Sequence, residues 1–92
     1  MRPAPENGNA DDAETLGLRA LGGVLCDDRR AHRLLALTGL DAAELRARAG
    51  ETAILGATID FLRAHEPDLV ACAEALGVAP ERLANLAREL RA

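Results

Sequence analysis

Aromatic side chains are nearly absent from the sequence: Phe61 is the only one, and neither Trp nor Tyr occurs. The core of this 92-residue chain must therefore consist mainly of leucine, alanine and β-branched side chains. The absence also disfavours binding of single-stranded nucleic acid, because proteins of that class stack bases on aromatic rings. Lysine is absent too, so all eleven basic residues are arginine, which we interpret as a coding bias.

Long apolar runs are missing as well. A membrane-spanning helix needs about 20 consecutive apolar residues, and no segment approaches that length. The first 15 residues lack the apolar run of a secretory signal peptide. We therefore expect a cytoplasmic protein with no membrane partner. Two cysteines, Cys26 and Cys72, are too few for a disulfide framework, and both fall in helical apolar patterns that predict buried positions.

The net charge of −4 is concentrated at the start of the chain. Residues 1–14 carry one arginine and four acids, whereas residues 15–92 carry ten arginines and eleven acids. The second part is thus close to neutral and has no overall basic field to attract nucleic acid or anionic lipid. This balance makes nucleic acid an unlikely partner.

Composition divides the chain into a flexible polar tail, residues 1–11, and a single helical domain, residues 12–92. Apolar residues recur every three or four positions, and no segment alternates with the period of two that marks a strand. The pattern predicts an all-α fold, a compact orthogonal bundle of five or six short helices. The predicted helices start near Asp11 or Asp12 and end near Cys26, then cover about 28–38, 42–49, 51–64, 67–76 and 80–91.

Local signals predict where these helices begin and end. Asp27 or Asp28 can cap the second helix, and Asp41 with Glu44 has the spacing of a capping box. Glycines follow three of the helices, where a left-handed residue ends the last turn. They are Gly39, Gly50 and Gly77. The corners at Gly39 and Gly77 share the pattern helix, glycine, apolar residue, cap, helix, which is a frequent design of helical corners.

Apolar spacing also predicts which faces are buried. In the first helix Leu18, Leu21 and Leu25 form one face, which Val24 widens. Its glycines leave two interpretations open, a loose or kinked helix or the close approach of a second helix. The fourth helix is the most apolar, so we expect it to be central, with Phe61 as its largest core residue.

Four segments carry a resemblance to a known family. In order they are ETLGLRALGGVLCD, LLALTGLDAAELRARAG, IDFLRAHEPDLVACAEALG and VAPERL. Together, over about residues 14–85, they resemble a family of short bacterial proteins known as a domain of unknown function, number three-five-seven-two. The most specific parts run from Leu37 to Asp41 and from Asp60 to Leu62. The resemblance implies a compact helical fold and brings no activity, cofactor or site residue.

Residues 68–91 have the helix, glycine, turn, helix pattern of a DNA-binding helix-turn-helix. On the second helix Arg82 has the chemistry to contact guanine and Asn85 to contact adenine, with Arg88 as a further candidate. Two glutamates on the same helix would repel phosphates, however, so a neutral corner of a bundle is the better interpretation. A DNA-associated regulator remains the alternative function.

An arginine cluster begins the second helix in the segment DDRRAHR. Arginine is favoured at the opposite end of a helix, so helix electrostatics does not explain the cluster. One interpretation is a solvated face whose charges are partly neutralised by Asp27 and Asp28. The other is a docking surface for an unknown protein partner, a second copy of the chain or the chain's own acidic tail. The candidate partner-binding residues are Arg29, Arg30, Arg33, Leu34, Leu37 and Leu40.

Catalytic and metal-binding motifs are weak. The spacings among Cys26, His32, His65 and Cys72 match no usual zinc-ligand loop, so we expect no metal and no other cofactor. No phosphate-binding glycine loop or nucleophile elbow occurs, which disfavours an enzyme. Glu66 and Asp68 are explained as the acidic first turn of a helix. The sequence thus predicts a small non-enzymatic protein-interaction module.

Overall fold

The structure is a computed structural model that describes residues 9–91. It contains six α-helices and, over these residues, no strand, which confirms the all-α bundle. Their bounds agree with the predicted helices to within three residues at each end. The helices are α1 Asn9–Leu25, α2 Asp28–Thr38, α3 Ala42–Ala47, α4 Thr52–Arg63, α5 Glu66–Leu76 and α6 Pro80–Arg91. None of the six has the length and the apolar run that crossing a membrane requires.

The start of α1 differs from its prediction. The helix begins at Asn9, so the last residues of the predicted tail are helical. The rest of that tail, residues 1–8, lies outside the described residues. At the other end α1 stops at Leu25, and Cys26 lies in the turn that follows. Cys26 is therefore exposed rather than buried, whereas Cys72 is buried as predicted.

Local capping explains most helix ends. The Asp27 carboxylate accepts hydrogen bonds of 3.0 Å from the backbone N–H groups of Arg29 and Arg30, and so caps α2. The capping box that begins α3 is present as predicted, between Asp41 and Glu44. The glycines that end α2 and α5 both have positive φ, 76° at Gly39 and 75° at Gly77, which an L side chain rarely adopts. Gly50 does not take this conformation, because α3 has already ended at Ala47.

Helix α4 is the centre of the fold, as predicted. It packs against α6, α1, α5 and α2, and it buries side chains on most of its surface. The one buried hydroxyl of this helix, on Thr58, donates a 2.9 Å hydrogen bond to the carbonyl oxygen of Ile54. The buried residues of α4 are Ile54, Leu55, Gly56, Thr58, Ile59, Phe61 and Leu62.

The buried face of α1 is not the predicted one. Leu21 is buried, but Leu18 is 44 % exposed and Leu25 only packs at the edge of the core. The helix instead buries a face on which half of the residues are alanine or glycine, and a Cβ built on Gly17 would meet the Cβ of Leu55 at 3.3 Å. Close approach of a second helix is thus the correct interpretation at Gly17. The buried residues of this face are Ala13, Leu16, Gly17, Ala20, Leu21 and Val24.

Candidate functional site

The arginine cluster lies where the N-terminal ends of α2 and α5 meet. Asp27 fixes the first turn of α2, and the helix then places Arg29, Arg30 and Arg33 within two turns. The N-terminal cap of α5 is His65, and Asp68 follows in its first turn. Side chains from 35 to 38 residues apart in the sequence are thereby brought together.

Asp68 is the centre of this cluster. The residue is 5 % exposed, although it lies in the first turn of a helix whose neighbouring acid, Glu66, is exposed. One carboxylate oxygen accepts a 2.8 Å hydrogen bond from Nε of Arg30. The other accepts a hydrogen bond from Nη2 of Arg33 and lies 3.0 Å from Nδ1 of His65. The helix dipole alone therefore does not explain the acid at position 68, because Asp68 also neutralises arginines of α2.

The pKa of Asp68 reflects two opposed effects. Burial raises the pKa of a carboxyl group because it disfavours the charged form. Hydrogen bonds from Arg30, Arg33 and His65 stabilise the carboxylate and outweigh burial, so the pKa is lowered from its ordinary value. Asp68 is therefore an anion at neutral pH, and α5 is held to α2 by a charged, hydrogen-bonded contact.

A second contact fixes Arg33. Its guanidinium carbon lies 5.3 Å from the centroid of the Phe61 ring, within the range of a cation–π interaction. Arg33 is thus held between the aromatic ring of α4 and the carboxylate of Asp68. Its side chain nevertheless remains 47 % exposed, so the guanidinium still faces solvent on one side.

The predicted partner-binding residues separate into two groups. Arg29 and Leu37 are exposed, the latter by 61 %. Leu34 is wholly buried and belongs to the core, so it offers no surface to a partner. Leu40 is partly buried and packs against the core. The structure therefore brings the three arginines together, leaves Leu37 on the surface and removes Leu34 from the candidate contacts.

The predicted DNA-contacting residues lie on α6, where they mainly contact each other or neighbouring acids. Nη1 of Arg82 lies 2.8 Å from a carboxylate oxygen of Glu89, and Nη2 of Arg88 lies 3.5 Å from Oδ1 of Asn85. Next to them a shallow groove is lined by three arginines of α4 and α6 together with Asn85. These arginines are Arg63, Arg88 and Arg91. Arg91 is paired with Asp60 at 2.5 Å.

The four residues considered as metal ligands do not form a site. Over residues 9–91 no three of the Cys, His, Asp and Glu side chains are arranged to hold a metal ion. Cys26 is exposed in the turn after α1, and the buried thiol of Cys72 has a pKa raised by burial. A buried thiol of raised pKa is a weak nucleophile and a weak metal ligand.

The sequence analysis did not identify Asp68 and His65 as part of this site. A signal was present for Asp68, which lies four residues before Cys72 and so on the inward face of α5. An acid on a buried helical face needs a cationic partner, and the unexplained arginines of α2 were available. Nothing in the local sequence of His65 indicates its part in the cluster.

A comparison with known families identifies the family to which the chain belongs. Residues 10–92 match the sequence model of the DUF3572 family, which is described as a protein of unknown function. The chain belongs to the DUF3572 family. No curated protein and no solved structure shows significant similarity to it. The earlier resemblance is thereby confirmed, and membership extends over all six helices.

Proposed function

We propose that this DUF3572 protein is a cytoplasmic, non-enzymatic protein-interaction module that docks a partner on the outward face of α2. The observation that carries the proposal is Leu37, which is 61 % exposed on the same helix face as the arginines. An isolated exposed leucine is ordinary, but one that continues a cationic stripe gives a surface of two chemistries.

Apart from the acidic Asp28 in the first turn, the exposed residues of α2 recur at intervals of three and four, so they form one continuous stripe. We name it the α2 stripe. Its N-terminal half is basic and its C-terminal half is apolar. The α2 stripe consists of Arg29, His32, Arg33, Ala36 and Leu37.

The chemistry of the α2 stripe defines the partner. Arg29 and Arg33 favour a partner segment with carboxylates, and Leu37 favours an apolar side chain about one helical turn away. An amphipathic helix with an acidic end and an apolar end combines both features. We therefore propose such a segment as the partner, carried by another protein or by a second copy of this chain.

The chain's own acidic tail, considered above as an occupant of this surface, carries acids whose side chains lie outside the described part of the structure.

Affinity capture from native lysate with matched variants tests this proposal. We expect a stoichiometric protein that survives nuclease treatment to be captured by the wild type and by Leu18→Glu, and to be lost with Leu37→Glu. Leu18 is the matched control because it is the other large apolar residue exposed among those described, at 44 % and on α1. Sedimentation equilibrium of the same variants identifies a homodimer as the alternative partner. Equal capture or equal dimerisation by Leu37→Glu and Leu18→Glu would contradict the α2 stripe as the docking surface.

DNA association is the second candidate function, and the basic groove between α4 and α6 favours it. Two observations weigh against it: Arg82 is paired with Glu89, and Arg91 is paired with Asp60. The test is binding to duplex DNA at low and at moderate salt, because phosphate contacts weaken steeply with ionic strength. Absence of binding at low salt would eliminate this candidate, whereas salt-sensitive binding lost with Arg88→Gln would support it.

A further inference from the structure

We infer that the cleft between the N-terminal ends of α2 and α5 is a binding site for a phosphoryl group, such as that of a phosphomonoester. The cleft is open to solvent on one side, has a volume of about 520 Å³ and is lined by Asp27, Arg29, Arg30, His32, Arg33, His65 and Asp68. This inference goes beyond the proposed function, because it concerns a small anionic group and its test requires no protein partner.

Unused hydrogen-bond donors carry the argument. Each guanidinium has five N–H donors, and Asp68 takes only one from Arg30 and one from Arg33. Arg29 lines the same cleft, and its side chain forms no ion pair with the described residues. The exposed imidazole of His32 adds a further donor when it is protonated. The cleft therefore offers more donors than its own carboxylates accept.

The electrostatics of the cleft point in the same direction. Three arginines and two histidines line it against two aspartates, so its formal charge is positive even with both histidines neutral. The N-terminal ends of α2 and α5 add the positive ends of two helix dipoles. Repulsion among these groups is only partly relieved by Asp68, and a bound anion would relieve it further.

The two aspartates leave room for such an anion. Asp27 directs one carboxylate oxygen to the backbone N–H groups of Arg29 and Arg30. Asp68 lies buried behind the guanidiniums that contact it. Arg29, His32 and Arg33 are exposed and line the same cleft, so their remaining donors are accessible to a ligand from solvent.

The lining of the cleft by two helices favours a tetrahedral anion over a carboxylate. Arg29 and His32 come from α2, and His65, whose Nδ1 already contacts Asp68, comes from α5. A carboxylate accepts hydrogen bonds mainly in one plane, whereas a phosphoryl group presents three oxygens in different directions.

Isothermal titration calorimetry of the full chain with inorganic phosphate, at constant ionic strength, tests this inference. We expect saturable binding by the wild type that is weakened about tenfold or more in Arg29→Gln, because a charge-assisted contact is lost. His32→Gln should also weaken binding. Arg46→Gln, an exposed arginine of α3 outside the cleft, is the control and should bind like the wild type.

Further titrations determine the ligand class. The inference would be overturned if acetate bound as tightly as phosphate. It would also be overturned if Arg29→Gln kept its helical circular dichroism and bound phosphate as tightly as the wild type. Free O-phosphoserine and a short peptide that contains phosphoserine distinguish the source of the group. Tighter binding of the peptide assigns a phosphorylated protein segment, and equal binding assigns a small phosphate ester. A phosphate site that binds without any captured protein would separate this inference from the proposed docking function.

Discussion

Nε of Arg30 donates a 2.8 Å hydrogen bond to the carboxylate of Asp68, across 38 residues of sequence. The carboxylate is buried while the Arg30 side chain is 28 % exposed, so the pair lies at the boundary between the core and solvent. Such a contact ties α2 to α5, two helices joined otherwise mainly through α1 and α4. Arg30 and Asp68 also line the cleft between the N-terminal ends of the two helices.

Asp68→Asn should destabilise the protein by about 1.5–3 kcal/mol, the range for hydrogen bonds to charged groups. The buried position makes this carboxylate costly to lose. The control is Asp60→Asn, which removes a pair with Arg91 whose two side chains are 44 % and 51 % exposed. Such exposed pairs contribute less than about 1 kcal/mol. Urea unfolding followed by circular dichroism measures both, and a loss for Asp60→Asn equal to that for Asp68→Asn would contradict the special role of Asp68.

The contribution of Asp68 should depend on pH in a defined direction. Its pKa in the folded state is lowered from 3.8, so the stabilisation is present above that value and is lost as pH falls through the lowered pKa. The difference in unfolding free energy between wild type and Asp68→Asn should therefore shrink as pH falls below about 4. Asp27 and Asp60 also have lowered pKa values, but both residues are present in the wild type and in the variant. Their contributions to the pH dependence therefore cancel when the two unfolding free energies are subtracted. A difference that keeps its full size well below about pH 4 would refute the assignment.

Truncation of two leucines of α2 should change the stability of the protein by very different amounts. Leu34 is wholly buried, so Leu34→Ala should cost about 2–5 kcal/mol of stability. Leu37 is 61 % exposed, so Leu37→Ala should change stability by less than about 0.5 kcal/mol. Thermal and urea unfolding of the two variants provide the measurement. Similar losses for both would mean that Leu37 packs in the core and that the α2 stripe has no apolar end.

Two glycines of α1 form a second matched pair. A Cβ added at Gly22 meets no atom within 4 Å, so Gly22→Ala should stabilise the helix by about 0.5–1 kcal/mol. At Gly17 the added Cβ would lie 3.3 Å from Leu55 and 3.5 Å from Leu90. Gly17→Ala should therefore be less stable than Gly22→Ala, and the melting temperatures of the two variants provide the comparison. Equal gains would show that α1 and α4 are not in close contact at Gly17.

The helix bounds could be predicted because their causes are local. Asp41 and Glu44 form a capping box within one turn, and Gly39 and Gly77 end helices through their own backbone conformation. The buried face of α1 could not be predicted by counting leucines. Half of its buried residues are alanine or glycine, whose burial depends on how closely another helix approaches. That approach is a tertiary property, and it leaves Leu18 on the surface.

The candidate site shows the same division. The arginine cluster and the exposed Leu37 could be found in the sequence, because both lie within eleven residues of one helix. The partners of the cluster could not, since Asp68 and Phe61 come from α5 and α4 and are placed by the packing of the bundle. An acid in the first turn of a helix has a sufficient local explanation, which conceals its long-range role.

The turn between α1 and α2 gives the protein a natural attachment point for a spectroscopic probe. Cys26 is exposed and immediately precedes Asp27, which lines the cleft, whereas the thiol of Cys72 is buried and has a raised pKa. A maleimide fluorophore should therefore label Cys26 in the native protein without any engineered cysteine. A change in the emission of this fluorophore would report binding of a ligand in the cleft or of a partner on α2.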